Sequence, residues 1–250
     1  YNNVPVDMGG RYFYINENDC VWSPGWSPVK KTLDFYECRH GMGYTIITGK
    51  CNELKAEVTF FVPQNYQGEI QKVVLKNEGT TKKSFTLFSF IEWCLWNAED
   101  DSTNFQRNFN TGEVEVEGST LFHKTEYKER RDHFAFYTVN SPIDGYDCDR
   151  EAFMGLYNGF NNPDAVLNGK SNNSKADGWS PIASHSINID LNPGETKELV
   201  FILGYVENGE DKWNADGSMK TRELSQVYDD AEAAKQRNVA GEIMGAKTAI

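Results

Sequence analysis

The 250-residue sequence predicts an all-β protein, a large antiparallel β-sandwich followed by a helix near the C-terminal end. Three observations carry that reading. Apolar residues recur at a two-residue period in short segments, turn chemistry separates those segments, and helical spacing is missing until residue 222.

The clearest segment is residues 53–62, with Leu54, Ala56, Val58, Phe60 and Val62 on one face and Lys55, Glu57 and Thr59 on the other. Further strands are expected over 70–76, 84–92, 112–117, 120–128, 133–140, 183–191 and 198–205. Turn residues divide them, among them Asn77-Glu78-Gly79, Thr111-Gly112, Asp144-Gly145 and Asn192-Pro193-Gly194. Residues 85–95 are apolar on both faces, which places that strand in the middle of a sheet covered on both sides, with Phe88 and Phe90 inside. In Glu113, Glu115 and Glu117 the carboxylates alternate with Val114 and Val116, as on a solvated strand face. Over 222–237 the residues turn to helix formers, with Leu224, Val227 and Tyr228 at helical spacing, so the expected division is a sandwich over 1–215 and a linker helix and tail over 216–250.

Composition narrows the function. Hydrophobic residues make up 39% and aromatic residues 13%, and the net charge is −12, which disfavours nucleic acid and anionic membranes as partners. No apolar run approaches the ~20 residues of a membrane span. The five cysteines Cys20, Cys38, Cys51, Cys94 and Cys148 are odd in number and form no C-x-x-C pair, which points to a reducing, cytoplasmic setting. The histidines His40, His123, His133 and His185 are scattered, so no metal site is expected. Serine-hydrolase elbows, phosphate loops and dinucleotide fingerprints do not occur.

Two features suggest carbohydrate. Tryptophans sit beside turn and polar residues in Trp22-Ser23-Pro24-Gly25-Trp26 and in Trp93-Cys94-Leu95-Trp96-Asn97, where a ring can stack on a pyranose face or equally fill the core. Residues 97–108 then form a polar loop that presents Asn97, Asn104, Gln106 and Arg107 together. Planar amide and guanidinium groups make bidentate contacts with hydroxyls, although Arg107 also has Asp100 and Asp101 as surface partners. Glu92, Glu99, Asp100 and Asp101 are too numerous to define an acid pair from sequence alone.

Six strings together resemble a known family: Tyr1-Asn2-Asn3-Val4-Pro5-Val6-Asp7, Gly10-Arg11-Tyr12-Phe13-Tyr14-Ile15, Val21-Trp22-Ser23-Pro24-Gly25-Trp26, Phe88-Ser89-Phe90-Ile91-Glu92-Trp93-Cys94-Leu95-Trp96-Asn97, Asn104-Phe105-Gln106-Arg107-Asn108-Phe109 and Ala176-Asp177-Gly178-Trp179-Ser180-Pro181-Ile182. They are similar to the amino-terminal region of the cellobiose phosphorylases, inverting glycoside phosphorylases related to the cellodextrin and chitobiose enzymes, and the similarity runs to about residue 207. The resemblance implies a galactose-mutarotase-like supersandwich, a linker helix, and a catalytic (α/α) barrel outside this chain that carries the acid catalyst and the phosphate site. It implies a homodimer acting on a disaccharide, or on glucose, with inorganic phosphate as substrate and no cofactor. By that resemblance Gln106 and Arg107 bind substrate on the acceptor side, supported by Asn97 and Asn104. A stand-alone carbohydrate-binding sandwich, or a module that only mediates dimerisation, is the alternative expectation.

Overall fold

The computed structural model describes residues 10–18, 20–93, 112–125, 133–176 and 181–207. They form thirteen strands and two short helices. The strands are β1 (Arg11–Glu17), β2 (Cys20–Trp22), β3 (Phe35–Gly41), β4 (Tyr44–Cys51), β5 (Leu54–Phe61), β6 (Gly68–Asn77), β7 (Lys83–Glu92), β8 (Gly112–Glu117), β9 (Thr120–Thr125), β10 (His133–Val139), β11 (Gly145–Asp149), β12 (Pro181–Leu191) and β13 (Thr196–Glu207). The helices α1 (Arg150–Met154) and α2 (Asp164–Leu167) lie between β11 and β12.

Two antiparallel sheets result. One has five strands in the order β11-β12-β7-β1-β2, and the other eight in the order β3-β4-β5-β6-β13-β10-β9-β8. The sandwich core joins Phe13, Ile15, Leu87 and Ile189 of the first to Leu54, Val73, Tyr137 and Phe201 of the second. The alternation on β5 holds for Leu54, Ala56 and Val58, which are all buried, but Val62 is exposed because the strand ends at Phe61. Val114 and Val116 are half-buried and Glu115 and Glu117 exposed, as the charge alternation predicts.

Strand β7 is central in its sheet, and both of its faces are covered. Phe85, Leu87 and Ile91 enter the sandwich core, while Phe88 and Phe90 face outward under Phe153, Met154, Phe160 and Val166 of the α1–α2 excursion. The expectation of strands without intervening helices is corrected here, since the apolar outer face of β7 and β1 needs a cover and five- and four-residue helices supply it. Asp149 starts α1 by accepting the Glu151 N–H at 2.9 Å, and Gly155 ends it. Polar contacts fix the excursion to the sheet. The Tyr14 hydroxyl donates to Phe160 O at 3.0 Å, and Asn16 Nδ2 donates to Val166 O at 2.7 Å. The Asp147 carboxylate accepts the Asn172 N–H, the Ser174 N–H and the Ser174 hydroxyl, the last at 2.7 Å.

Candidate functional site

The strand registers bring many chain ends to one end of the sandwich. Arg11 pairs with Ile91, and Ile182 with Glu92, so the start of β1, the end of β7 and the start of β12 lie side by side. In the other sheet Gly112 pairs with Thr125, His133 with Glu207, and Gly68 with Gly204. Two contacts tie these ends together across the sheets. Arg11 Nε meets Glu69 Oε1 at 2.8 Å, and the Trp93 ring stacks on His123 with centroids 5.5 Å apart. Segments 94–111, 126–132, 177–180 and 208–250 therefore all join the described residues at this end.

Asn97, Asn104, Gln106 and Arg107 lie outside the described residues, as do Asp100, Asp101, Trp96, Trp179 and the predicted linker helix. Trp93 and Gly112, which bracket residues 94–111 in the sequence, both lie at this end. Trp22 and Trp93 are buried, so both belong to the core, whereas Trp26 is half exposed. The motif Cys38-Arg39-His40 lies on exposed β3, where His40 Nε2 sits 3.4 Å from Cys38 Sγ and Nδ1 sits 3.0 Å from Thr45 Oγ1. Among the described residues no three His, Cys, Asp or Glu side chains converge as metal ligands.

At the root of the loop the structure assembles a group that sequence reasoning did not. Glu92, the last residue of β7, donates its N–H to Gly10 O at 3.1 Å and accepts Arg150 Nε at 3.0 Å. The Arg150 guanidinium also lies 5.3 Å above the Phe160 ring, a cation–π arrangement. Tyr12 stacks on Phe90 at 6.1 Å and packs against Phe160 at 5.6 Å. Burial pushes the Glu92 carboxyl above its ordinary value, and the Arg150 charge opposes part of that rise. Burial, with the Glu92 charge second, also raises the Tyr12 phenol. On the other side of the same end, Arg11 lies 4.8 Å over the Phe60 ring and spans to Glu69.

Arg150 holds Glu92 at the end of β7 and so anchors the point where the chain leaves the sheet. No periodicity reveals this pairing, because Glu92 and Arg150 are 58 residues apart and only the β7–β12–β11 register brings them together.

The model for the glycosyl hydrolase 94 supersandwich domain matches residues 1–228. This chain belongs to the glycosyl hydrolase 94 family. Within that family it is 33% identical over 216 residues to an N,N'-diacetylchitobiose phosphorylase of Vibrio proteolyticus, covering 83% of this chain and 27% of that one. It is 30% identical over 223 residues to a solabiose phosphorylase of Paenibacillus borealis, covering 87% and 27%. The chain thus spans little more than a quarter of the length of these relatives. Among solved structures, a bacterial glucoamylase complexed with acarbose superposes over 80% of this chain and 27% of its own with a TM-score of 0.53 at 11% identity, a likeness of fold. The family match bears out the antiparallel sandwich expected from the strand pattern, and the relatives are glycoside phosphorylases.

Proposed function

We propose that this glycosyl hydrolase 94 domain is the amino-terminal part of a cellobiose phosphorylase, in which it supplies the acceptor side of the sugar pocket and part of a homodimer interface. The observation that carries the reading is the placement of the loop ends. Trp93 and Gly112, which bracket Gln106 and Arg107, stand at the end of the sandwich from which the chain leaves at Glu207 towards its C-terminus.

In the proposed reaction a general acid outside this chain protonates the glycosidic oxygen, while phosphate attacks the anomeric carbon from the opposite face. The C–O bond to the leaving glucose breaks as the C–O bond to phosphate forms, giving α-glucose 1-phosphate and glucose with inversion. Arg107 and Gln106, with Asn97 and Asn104 beside them, hold the hydroxyls of the leaving glucose. That role is orientation of a bound reactant. The proposal places the protein in the cytoplasm, a setting supported by the free thiols of Cys20, Cys38, Cys51 and Cys148. Among the described residues no helix is long and apolar enough to cross a membrane.

The test compares the full-length protein with the 250-residue chain, both supplied with cellobiose and phosphate. Release of α-glucose 1-phosphate by the former and none by the latter is expected, because a positioned proton donor lies outside the chain. Turnover by the chain alone would contradict that assignment of the acid. Failure of the full-length protein on cellobiose, with turnover of another disaccharide, would contradict the choice of sugar and leave the phosphorylase assignment standing.

A further inference from the structure

The outer face of the five-stranded sheet changes character along its length. Its rows Tyr12/Phe90 and Tyr14/Phe88 are apolar and lie under α1 and α2. The next row, Asn16, Thr86 and Asn188, is polar and runs across β1, β7 and β12 in register, and Ser84 pairs with Asp190 beyond it. Here the helices end, and their last turn overhangs the sheet to leave a groove of about 540 Å³. Asn16, Asn18, Thr86, Asn168, Asn188 and Asp190 line it. Pockets for small molecules span roughly 300–1,000 Å³, so its size is suitable. Thr86 and Glu92 are six residues apart on β7, which puts the groove ~20 Å along the strand from the loop end.

We infer that this groove is a binding site for a neutral oligosaccharide. Six of its ten lining residues, Asn16, Asn18, Ser84, Thr86, Asn168 and Asn188, carry a carboxamide or a hydroxyl, and Phe85 and Ile189 turn their side chains into the sandwich core, although a quarter of the residues in this chain are charged. The one charge, Asp190, is already paired, since Lys82 Nζ lies 2.8 Å from Oδ2 and the Ser84 hydroxyl donates to Oδ1 at 2.6 Å. An ordinary solvated sheet face would mix charges of both signs, and an anionic or cationic ligand would find no free counter-charge here.

The roof is built and held. Asn16, itself buried, donates Nδ2 to Val166 O and Leu167 O, which clamps the end of α2 to β1. Gly169 follows in the left-handed region at φ 64°, and a Cβ there would lie 3.5 Å from Asn16 Nδ2. Below the roof the Thr86 hydroxyl donates to Asn188 Oδ1 at 2.8 Å, which leaves Asn188 Nδ2 directed to other partners. The side chains of Asn18 and Asn168, with Asn188 Nδ2, make no hydrogen bond among the described residues. Three carboxamides thus present donors and acceptors across one concave surface, the pattern that hydroxyls of a sugar chain match. Phe85 lies along the groove, but its ring is buried in the sandwich core, so no exposed ring is offered for stacking and the affinity is weak, on the order of 1 mM.

Titration of the 250-residue chain with cellotetraose, followed by saturation-transfer NMR, tests the inference. Wild type is expected to bind, and tetragalacturonate of the same length is not. Asn188→Ala, Asn168→Ala and Asn18→Gly are exposed changes, the last keeping the positive φ of that position. Each should weaken binding about 3–10-fold, the value of one or two neutral hydrogen bonds, with an unchanged circular dichroism spectrum. Met42→Ala, a fully exposed change at the β3–β4 turn of the other sheet, should bind cellotetraose as wild type does. Lack of binding by wild type, equal binding of tetragalacturonate, or an equal loss in Met42→Ala would each overturn the inference. The groove does not depend on the phosphorylase reading, because its ligand is tested by binding and not by turnover.

Discussion

Glu92 shows what burial does to a carboxylate that sequence inspection treats as one of many. Its folded-state pKa is raised by desolvation above the ordinary 4.5, so protonation favours the folded state. The stability it contributes is fully present below the unfolded value and is lost as the pH rises through the folded one. Glu92→Gln should therefore flatten the fall in stability as the pH rises above the ordinary carboxylate value, measured as urea midpoints, and a profile parallel to wild type would contradict the assignment. Asp147 is raised for the same reason, against the hydrogen bonds from Ser174 and Asn172. Gly49 is a second residue-scale case. A Cβ there would sit 2.6 Å from the carbonyl oxygen of Pro24, where the turn after β2 crosses β4. Backbone cannot swing aside as a side chain can, so Gly49→Ala should cost roughly 1–3 kcal/mol in chemical denaturation. Neither residue announces itself in the sequence, since each effect depends on a partner distant along the chain.

At the scale of elements, legibility followed burial pattern. Strand β5 has one buried and one half-buried face, and β7 is buried at every position from Leu87 to Ile91, so each leaves a signature in the sequence. Strand β3 is exposed at every position, and β11 has only five residues, so neither alternates over enough length to be seen. Helices α1 and α2 are shorter than two turns and cannot display a 3.6-residue period. Their role is nonetheless energetic. The Phe90 and Phe153 rings lie 5.0 Å apart, and both side chains are buried. Phe90→Ala and Phe153→Ala should each cost about 3–5 kcal/mol, and their double-mutant cycle should show coupling of about 0.5–1.5 kcal/mol. Additive losses would mean that the excursion is not packed on β7 as described.

Over the whole molecule, the sandwich was legible because two-residue alternation and turn chemistry are local. The proposed site was legible only as a polar segment. Residues 97–108 stand out by composition, yet what gives the loop a place is the convergence of strand ends, a property of register across two sheets. The Arg150–Glu92 pair at its root and the Arg11–Glu69 pair across from it belong to that same level of organisation. The central claim is that this end of the sandwich completes the acceptor side of a phosphorylase pocket through Arg107. On that proposal, Arg107→Ala in the full-length protein should remove a donor fork from substrate hydroxyls, raise the acceptor KM in the synthetic direction and lower kcat/KM by roughly 2–4 kcal/mol of transition-state binding. Arg107→Lys should recover little, because an ammonium lacks the planar two-point geometry. A surface pair with Asp100 or Asp101 would instead change stability by at most ~1 kcal/mol and leave kinetics alone. Steady-state synthesis of disaccharide from α-glucose 1-phosphate and glucose by wild type and Arg107→Ala is the direct measurement: a raised acceptor KM with intact folding is predicted, and wild-type KM and kcat in the variant would contradict the account.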